Sequence, residues 1–554
     1  MIRKPKSFFP SSRAAVLHPT KALTNPDAKV HLKRFESLIL FLLSLLINLV
    51  VAYFLNYVLH IGNGDALSRT ANAYYVLYSR EPHLAAVGFV WPPLPSILQI
   101  PLLPLTKALG SVFFAGNILS SLFGAGVIVL TNRLLAHFKF PPAVRWILVV
   151  LLQFHPNTLY LFASGMAEPV FLFCVLVVFL GLYQMPESMR SWVLVGMSLA
   201  VAFLVRYETL PILAGVALAI IVHMWGSDDW RPRTEGWLLA VLTPPVYAIV
   251  MWIFFNWTLL GDPLYFYRSF YSLGNASDIA RSIGLGHPLY LAWGNIIESI
   301  RVGFTRSFEQ NPAYPVMGLL ALISIFWHKD RKGFGLFIVM LSVTAFSILQ
   351  VYLGTLANWM RYWFYAAPFA LVMAGIVYSH LKPKWHLLFY VALIGLFLTG
   401  TPLSLQAMRA KTVGADEQRL AALVYDPAGE PALRAKDWYW VNLTDAPVVA
   451  KEVDKLSGNG LVLVDSSTSF SVIMAAQYPN RLYITNDDGF FKVLANPIGT
   501  VKYMLVLDPE QQLSIFNVTY PTLFERGADW ATLVWDSGAE TGAHWRIYEI
   551  HPIE

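Results

Sequence analysis

Ser37-Leu-Ile-Leu-Phe-Leu-Leu-Ser-Leu-Leu-Ile-Asn-Leu-Val-Val-Ala-Tyr-Phe-Leu-Asn-Tyr-Val-Leu59 is an apolar run long enough to cross a bilayer as a helix, since a hydrocarbon core of about 30 Å needs about 20 residues. It leads at once into Ile61-Gly-Asn-Gly-Asp-Ala-Leu-Ser-Arg69. The run has no small-residue cleavage site and is long for the apolar core of a signal peptide, so it is expected to stay as an anchor. Asp65 then stands just outside a first membrane helix, at the lipid–water boundary. An ionisable residue there costs free energy unless it is solvated, paired or used. Gly-Asn-Gly-Asp is also good turn chemistry, which would make Asp65 a solvated turn residue. The rest of the chain weighs on that choice.

Of the 554 residues, 56% are hydrophobic and 13% charged, about half the charged share of a soluble domain. A polytopic α-helical membrane protein is expected. The net charge of +6 is spread over an N-terminal tail and short loops, which gives nucleic-acid binding no support. Cys174 is the single cysteine, so neither an intrachain disulfide nor a cysteine-built zinc site can form. Apolar segments recur near 36–59, 112–132, 143–162, 168–185, 191–205, 208–225, 236–258, 313–327, 334–355, 362–379 and 386–403, or about eleven spans. With the N-terminus inside, the short basic loops share one side: Arg133, Lys139 and Arg145; Arg190; Arg231 and Arg233; Lys329, Arg331 and Lys332; Lys382 and Lys384. Local Lys/Arg bias sets orientation, so that side is read as cytoplasmic.

Three regions follow: a basic cytoplasmic tail over 1–34, a transmembrane domain over 35–403, and a C-terminal α/β domain over 404–554 on the other side of the membrane. In the first outside loop, residues 94–109 are apolar but carry Pro95, Pro101 and Pro104. These suit an interfacial or re-entrant segment better than a full span. Beyond 404, extended runs at 461–465, 482–485, 503–507, 531–535 and 545–549 alternate at first with helix-like stretches at 445–456, 468–477 and 510–517. That order predicts a small, largely parallel sheet. No Gly-x-Gly-x-x-Gly or P-loop follows any strand, which argues against nucleotide binding there.

The parity gathers Asp65, Arg69, Asn72, Glu81, His83, His155, Glu168, Arg206, Glu208 and Arg361 at the non-cytoplasmic edge. If the chain turns helical after Asp65, Arg69 and Asn72 fall on its face at i+4 and i+7, and a cation beside Asp65 favours its ionised form. Glu168 precedes Pro169 at the start of a span, where a carboxylate also complements the helix dipole. His155, before Pro156 near the outer end of a span, reads as a core histidine far more readily than as a metal ligand. Arg361, inside Asn358-Trp-Met-Arg-Tyr-Trp-Phe-Tyr365, either snorkels to the interface or binds a lipid phosphate. Arg206-Tyr-Glu208 has the makings of a local ion pair, although a two-residue spacing does not share a helix face.

Several motifs recur in one order: the first-loop Asp65, Trp91-Pro-Pro-Leu94, Ser164-Gly-Met-Ala-Glu-Pro169, Gly261-Asp-Pro-Leu-Tyr-Phe266 and Arg361-Tyr-Trp-Phe-Tyr-Ala-Ala-Pro368. Together, over about residues 36–403, they resemble the GT-C superfamily of membrane glycosyltransferases. The likeness is greatest to bacterial relatives of the protein O-mannosyltransferases and aminoarabinose transferases. The resemblance implies a GT-C-like fold, a polyprenyl-phosphate-linked sugar donor, reaction on the non-cytoplasmic face, and a bacterial plasma-membrane location. It also implies that Asp65 is catalytic. Many protein O-mannosyltransferases carry Asp-Glu here, whereas Asp65 is followed by Ala66, so a lipid, glycan or protein acceptor all stay open.

In such a transfer Asp65 would accept the acceptor's proton, and Arg361, Arg69 or Arg206 would stabilise the departing phosphate. Glu168, Glu208 and His155 complete the expected substrate-binding set. A divalent cation, Mg or Mn, bridging Asp65 and Glu168 is the alternative source of charge. The competing class is a transporter or flippase for a lipid-linked or anionic substrate, against which stand the absence of an inverted repeat and the edge placement of the charges. The orientation has a direct test. In intact cells, Asp330→Cys and Pro232→Cys variants should resist a membrane-impermeant thiol reagent added outside, and labelling of either reverses the topology.

Overall fold

The computed structural model describes residues 34–184, 189–225, 230–272, 292–512 and 514–552. The expected basic tail over 1–34 therefore lies outside the described residues except for Arg34, where the first helix begins. Among the described residues, six helices are long and apolar enough to cross a membrane: Phe35–Leu59, Phe114–His137, Trp230–Leu260, Arg331–Leu353, Met360–Ser379 and Pro383–Ala407. A seventh crossing comes from Pro142–Gln153 and Pro156–Ala163 if they form one span bent by 68°. The break falls at His155-Pro156, where proline lacks the N–H that would continue the ladder. The segments expected near 168–185, 191–205, 208–225 and 313–327 are also helical, but at 17 residues or fewer they fall short of the bilayer core. The expected count of about eleven spans thus reduces to six or seven helices that meet the length requirement.

The first span ends in a π-helical turn, Phe54–Leu59, closed by His60 at φ 48°. A loop helix, Gly64–Tyr78, then starts at Asn63, whose side chain accepts the Asp65 N–H. The Pro-rich stretch is two short helices, Leu94–Gln99 and Leu103–Ala108, joined by a tight turn over Ile100–Leu102. Each piece carries its proline in the first turn, where the missing N–H is not needed.

The C-terminal sheet consists of β1 (Val462–Val464), β2 (Leu482–Ile484), β3 (Tyr503–Leu507), β4 (Ala531–Asp536) and β5 (Trp545–Ile550) in the order β2-β1-β3-β5-β4. β1 pairs parallel with β2 and β3, whereas β5 is antiparallel to β3 and β4. The sheet is parallel over three strands rather than largely so. The short link from β4 to β5 permits only a hairpin, since a parallel crossover needs a dozen or more residues.

The sheet does not stand apart from the membrane domain. One of its faces shares a core with the loop helix, in which Leu67, Ala71, Tyr74 and Tyr75 are buried with Val449, Val453, Val464, Ile473, Leu505 and Trp545. The boundary expected at 403/404 also shifts. It falls inside the Pro383–Ala407 helix, and the next helix, Ala415–Tyr425, is bonded into the membrane domain. Its Arg419 is fully buried and donates to the Leu59 and His60 carbonyls, each at 2.7 Å, and to Glu430 and Asp437, each at 2.8 Å. The last carbonyls of a helix lack intrahelical partners and carry partial negative charge. Arg419 satisfies two at the end of the first span.

Gly62 is required by the same clamp. A Cβ there would meet the Tyr439 ring at 2.3–2.6 Å. Gly62→Ala should therefore cost about 1–3 kcal/mol by overpacking. Thermal unfolding in detergent checks this, and Tyr439→Ala in the same chain should relieve the clash.

Candidate functional site

The π-turn, His60 and the Asn63 cap together aim the loop helix so that Asp65 meets a residue 296 positions away. Asp65 Oδ2 accepts from Arg361 Nη2 at 2.6 Å. The Asp65 side chain keeps 36% exposure, whereas that of Arg361 has 2%. Burial excludes snorkelling for Arg361. Its guanidinium instead lies 4.3 Å from the Trp359 ring centre and 5.1 Å from that of Tyr362, and these two rings are stacked. Burial pushes the Asp65 carboxyl up, but the charges of Arg361 and Arg69 outweigh it and hold it below its ordinary value.

Arg69 lies one turn along the loop helix and is buried, its guanidinium 4.8 Å from the Trp91 ring centre. The cation expected at i+4 is thus present, yet Asp65 spends its hydrogen bond on Arg361. The Arg69 and Arg361 Nε–H groups are buried without a hydrogen-bond partner. Glu168 pairs with Arg206 Nη1 at 2.6 Å, and its second oxygen is also unpartnered. Arg206 further donates from Nε to Glu208 at 3.0 Å. The pair closes across a turn between helices, which is how residues two apart meet without sharing a helix face. Burial works to raise the Glu208 carboxyl, but Arg206 holds it below its usual value. Buried unsatisfied donors and acceptors are rare in folded proteins, and where they gather they mark places for a ligand.

Beside Glu208 and Tyr362 lies a small cavity lined by Phe171, Val343, Ser347, Gln350, Leu356, Phe364 and Tyr365.

His155 is not part of this arrangement. Its Nε2 meets the Gln310 carbonyl at 2.7 Å and its Nδ1 faces the Thr158 hydroxyl at 3.4 Å. Both ring nitrogens are engaged, which makes it a satisfied core histidine rather than a substrate ligand. Glu81 also lies elsewhere, accepting the Asp488 N–H at 3.1 Å, and His83 turns back to the Glu81 carbonyl. Asp65 and Glu168 are each bonded to a different guanidinium. Among the described residues no group of three His, Cys, Asp or Glu side chains is placed to hold a metal.

Sequence reasoning missed Asp416 and Glu417, at the start of the Ala415–Tyr425 helix, and Tyr160. Glu417 accepts the Arg361 N–H at 2.8 Å, and Asp416 accepts from the Tyr160 hydroxyl at 2.5 Å. The only local signal was two acids in a helix's first turn, which by itself reads as dipole complementation.

No family model and no curated protein matches the chain. Among solved structures it is similar to the archaeal oligosaccharyltransferase AglB from Archaeoglobus fulgidus, in complex with an inhibitory peptide and a dolichol-phosphate. The identity is 13%, the match covers 93% of this chain and 74% of that chain, and the TM-score is 0.42. A likeness that slight transfers neither substrate nor residue roles.

The charge balance of the site gives a stability prediction. Arg206→Met strands Glu168, 2% exposed, without its cation and should cost about 3–5 kcal/mol. Adding Glu168→Gln should recover part of that loss in thermal unfolding. A single variant as stable as the wild type would show that Glu168 is neutral or otherwise paired.

Proposed function

We propose that this chain is a membrane glycosyltransferase moving a sugar from a polyprenyl-phosphate donor to a hydroxyl acceptor on the non-cytoplasmic face, with inversion at the sugar carbon. The supporting observation is the half-open Asp65 carboxylate paired with a buried arginine, beside unpartnered guanidinium N–H groups. An anionic phosphate head has the chemistry to fit them, and Arg361, Arg69 and Arg206 would face it.

In the reaction, the acceptor oxygen bonds to the anomeric carbon as the bond from that carbon to the phosphate oxygen breaks. The bonding pair leaves on the phosphate, where guanidinium charge stabilises it. Asp65 takes the acceptor's proton. A carboxylate held by a guanidinium is a weak base, so the order of binding matters. Once the donor phosphate engages Arg361, Asp65 loses part of its counter-charge and its basicity rises. The base is strengthened only when there is a donor to react with. In this scheme guanidinium groups supply the charge that a divalent cation would otherwise bring. The inner-membrane, bacterial setting and the C-terminus outside belong to the same proposal, as does an acceptor that is lipid, glycan or protein.

Purified protein in liposomes, given radiolabelled undecaprenyl-phosphate mannose or aminoarabinose, tests the reading. Sugar should leave the carrier, to an acceptor or slowly to water. Carrier that crosses the bilayer with its sugar intact would instead identify a flippase. Asp65→Asn should lower turnover about a hundredfold or more. Arg361→Lys should weaken donor affinity and Arg361→Ala should weaken it further, because lysine lacks the planar fork.

The acid limb gives a separate prediction. kcat/KM reports the free enzyme and kcat the donor complex. In the free enzyme Asp65 titrates below its ordinary value of 3.8, so kcat/KM should hold down to about pH 4 and fall only beneath it. The acid limb of kcat should lie at higher pH. Coincident limbs would mean that Arg361 does not leave Asp65 for the phosphate.

A further inference from the structure

Asp416 and Glu417 are consecutive, 4% and 0% exposed, and bonded to different segments. Glu417 Oε1 accepts the Arg361 N–H at 2.8 Å, while Oε2 accepts the Met360 N–H at 3.0 Å and the Gly414 N–H at 3.3 Å. Asp416 Oδ2 accepts from the Tyr160 hydroxyl at 2.5 Å and from Asn63 Nδ2 at 3.2 Å. Asn63 in turn accepts the Asp65 N–H through Oδ1, at 3.0 Å. The backbone of Arg361 and the cap of the helix that carries Asp65 therefore hang from adjacent residues of one rigid helix.

We propose that Asp416 and Glu417 are positioning residues that set the separation of Asp65 from Arg361, making the start of the C-terminal region a working part of the reaction centre. The proposal rests on the reading of Asp65 and Arg361 as the reacting pair. Its physical basis is geometric. Asp65 belongs to the first loop and Arg361 to the opening turn of the Met360–Ser379 span, and no stretch of local sequence fixes the distance between them. A single helical step from Asp416 to Glu417 does. Both sets of bonds are buried, where a hydrogen bond is stronger than in water, so both tethers resist the thermal motion that would open the pair. Misplacing a reacting group by about 1 Å costs on the order of a hundredfold in rate.

Asp416→Asn and Glu417→Gln keep size and one acceptor oxygen, so both should fold as the full chain in lipid nanodiscs. Hydrogen exchange, which reads local opening, should accelerate at least tenfold at Asp65 in the first variant and at Met360 and Arg361 in the second. Exchange in the Phe114–His137 span should stay unchanged. Cleavage of undecaprenyl-phosphate mannose or aminoarabinose, normalised to the protein whose Phe114–His137 exchange shows it folded, should show kcat at least tenfold lower with KM within twofold. The double variant with Glu417→Ala should be worse than Glu417→Gln alone. Unchanged exchange at all three amides would overturn the tether, and accelerated exchange with unaltered kcat would overturn the positioning role. Wild-type protein that turns over neither donor sinks the glycosyl-transfer reading, while the exchange measurement still decides the tether on its own.

Discussion

Everything at the site follows from the cost of keeping a charge away from water. Asp65 and Arg361 meet at 2.6 Å beside an apolar bundle, where an unpaired ion would be several kcal/mol less stable. Arg206 stands between Glu168 and Glu208 for the same reason, and Arg69 and Arg361 lie against aromatic faces. Such a cluster is balanced in charge but incomplete in hydrogen bonds. The balance lets the charges stay buried together, while several of their N–H groups and oxygens keep no partner.

The same economy explains how the C-terminal region is attached. Arg419 is buried because the end of the first span offers two carbonyls and the neighbouring helices offer Glu430 and Asp437. The loop helix meets the C-terminal region through apolar side chains, whereas the Ala415–Tyr425 helix meets the spans through side-chain hydrogen bonds as well as the packing of Ala421 against Met360 and Ala407. The two are complementary: burial supplies the area, and directional bonds supply the register.

Much of this was legible in the residues. The apolar runs gave the helices, and the five extended runs of the C-terminal region gave its five strands. The placement of Asp65 and Arg361 at a membrane boundary made both suspects before any contact was known. The span count was less legible, because a buried helix of 16 residues and a short membrane helix have the same composition. His155 shows the limit for single residues: only the Gln310 carbonyl, brought in from a distant helix, reveals that it is satisfied. Asp416 and Glu417 were invisible for the converse reason. Two acids opening a helix are ordinary, and their meaning lies wholly in partners more than 50 positions away.

The shared core of the loop helix and the sheet sets an order on biosynthesis. Leu67 and Tyr75 leave the ribosome long before Phe470 and Ile473 of the helix that packs on the loop helix. At 5–20 residues per second, that interval is roughly twenty to eighty seconds. For all of it an apolar helix face next to Asp65 lacks its partner, and the Arg419 that closes the first span has yet to be made for most of it. A chain interrupted before Phe470 would carry all its spans and still leave that face of the loop helix uncovered.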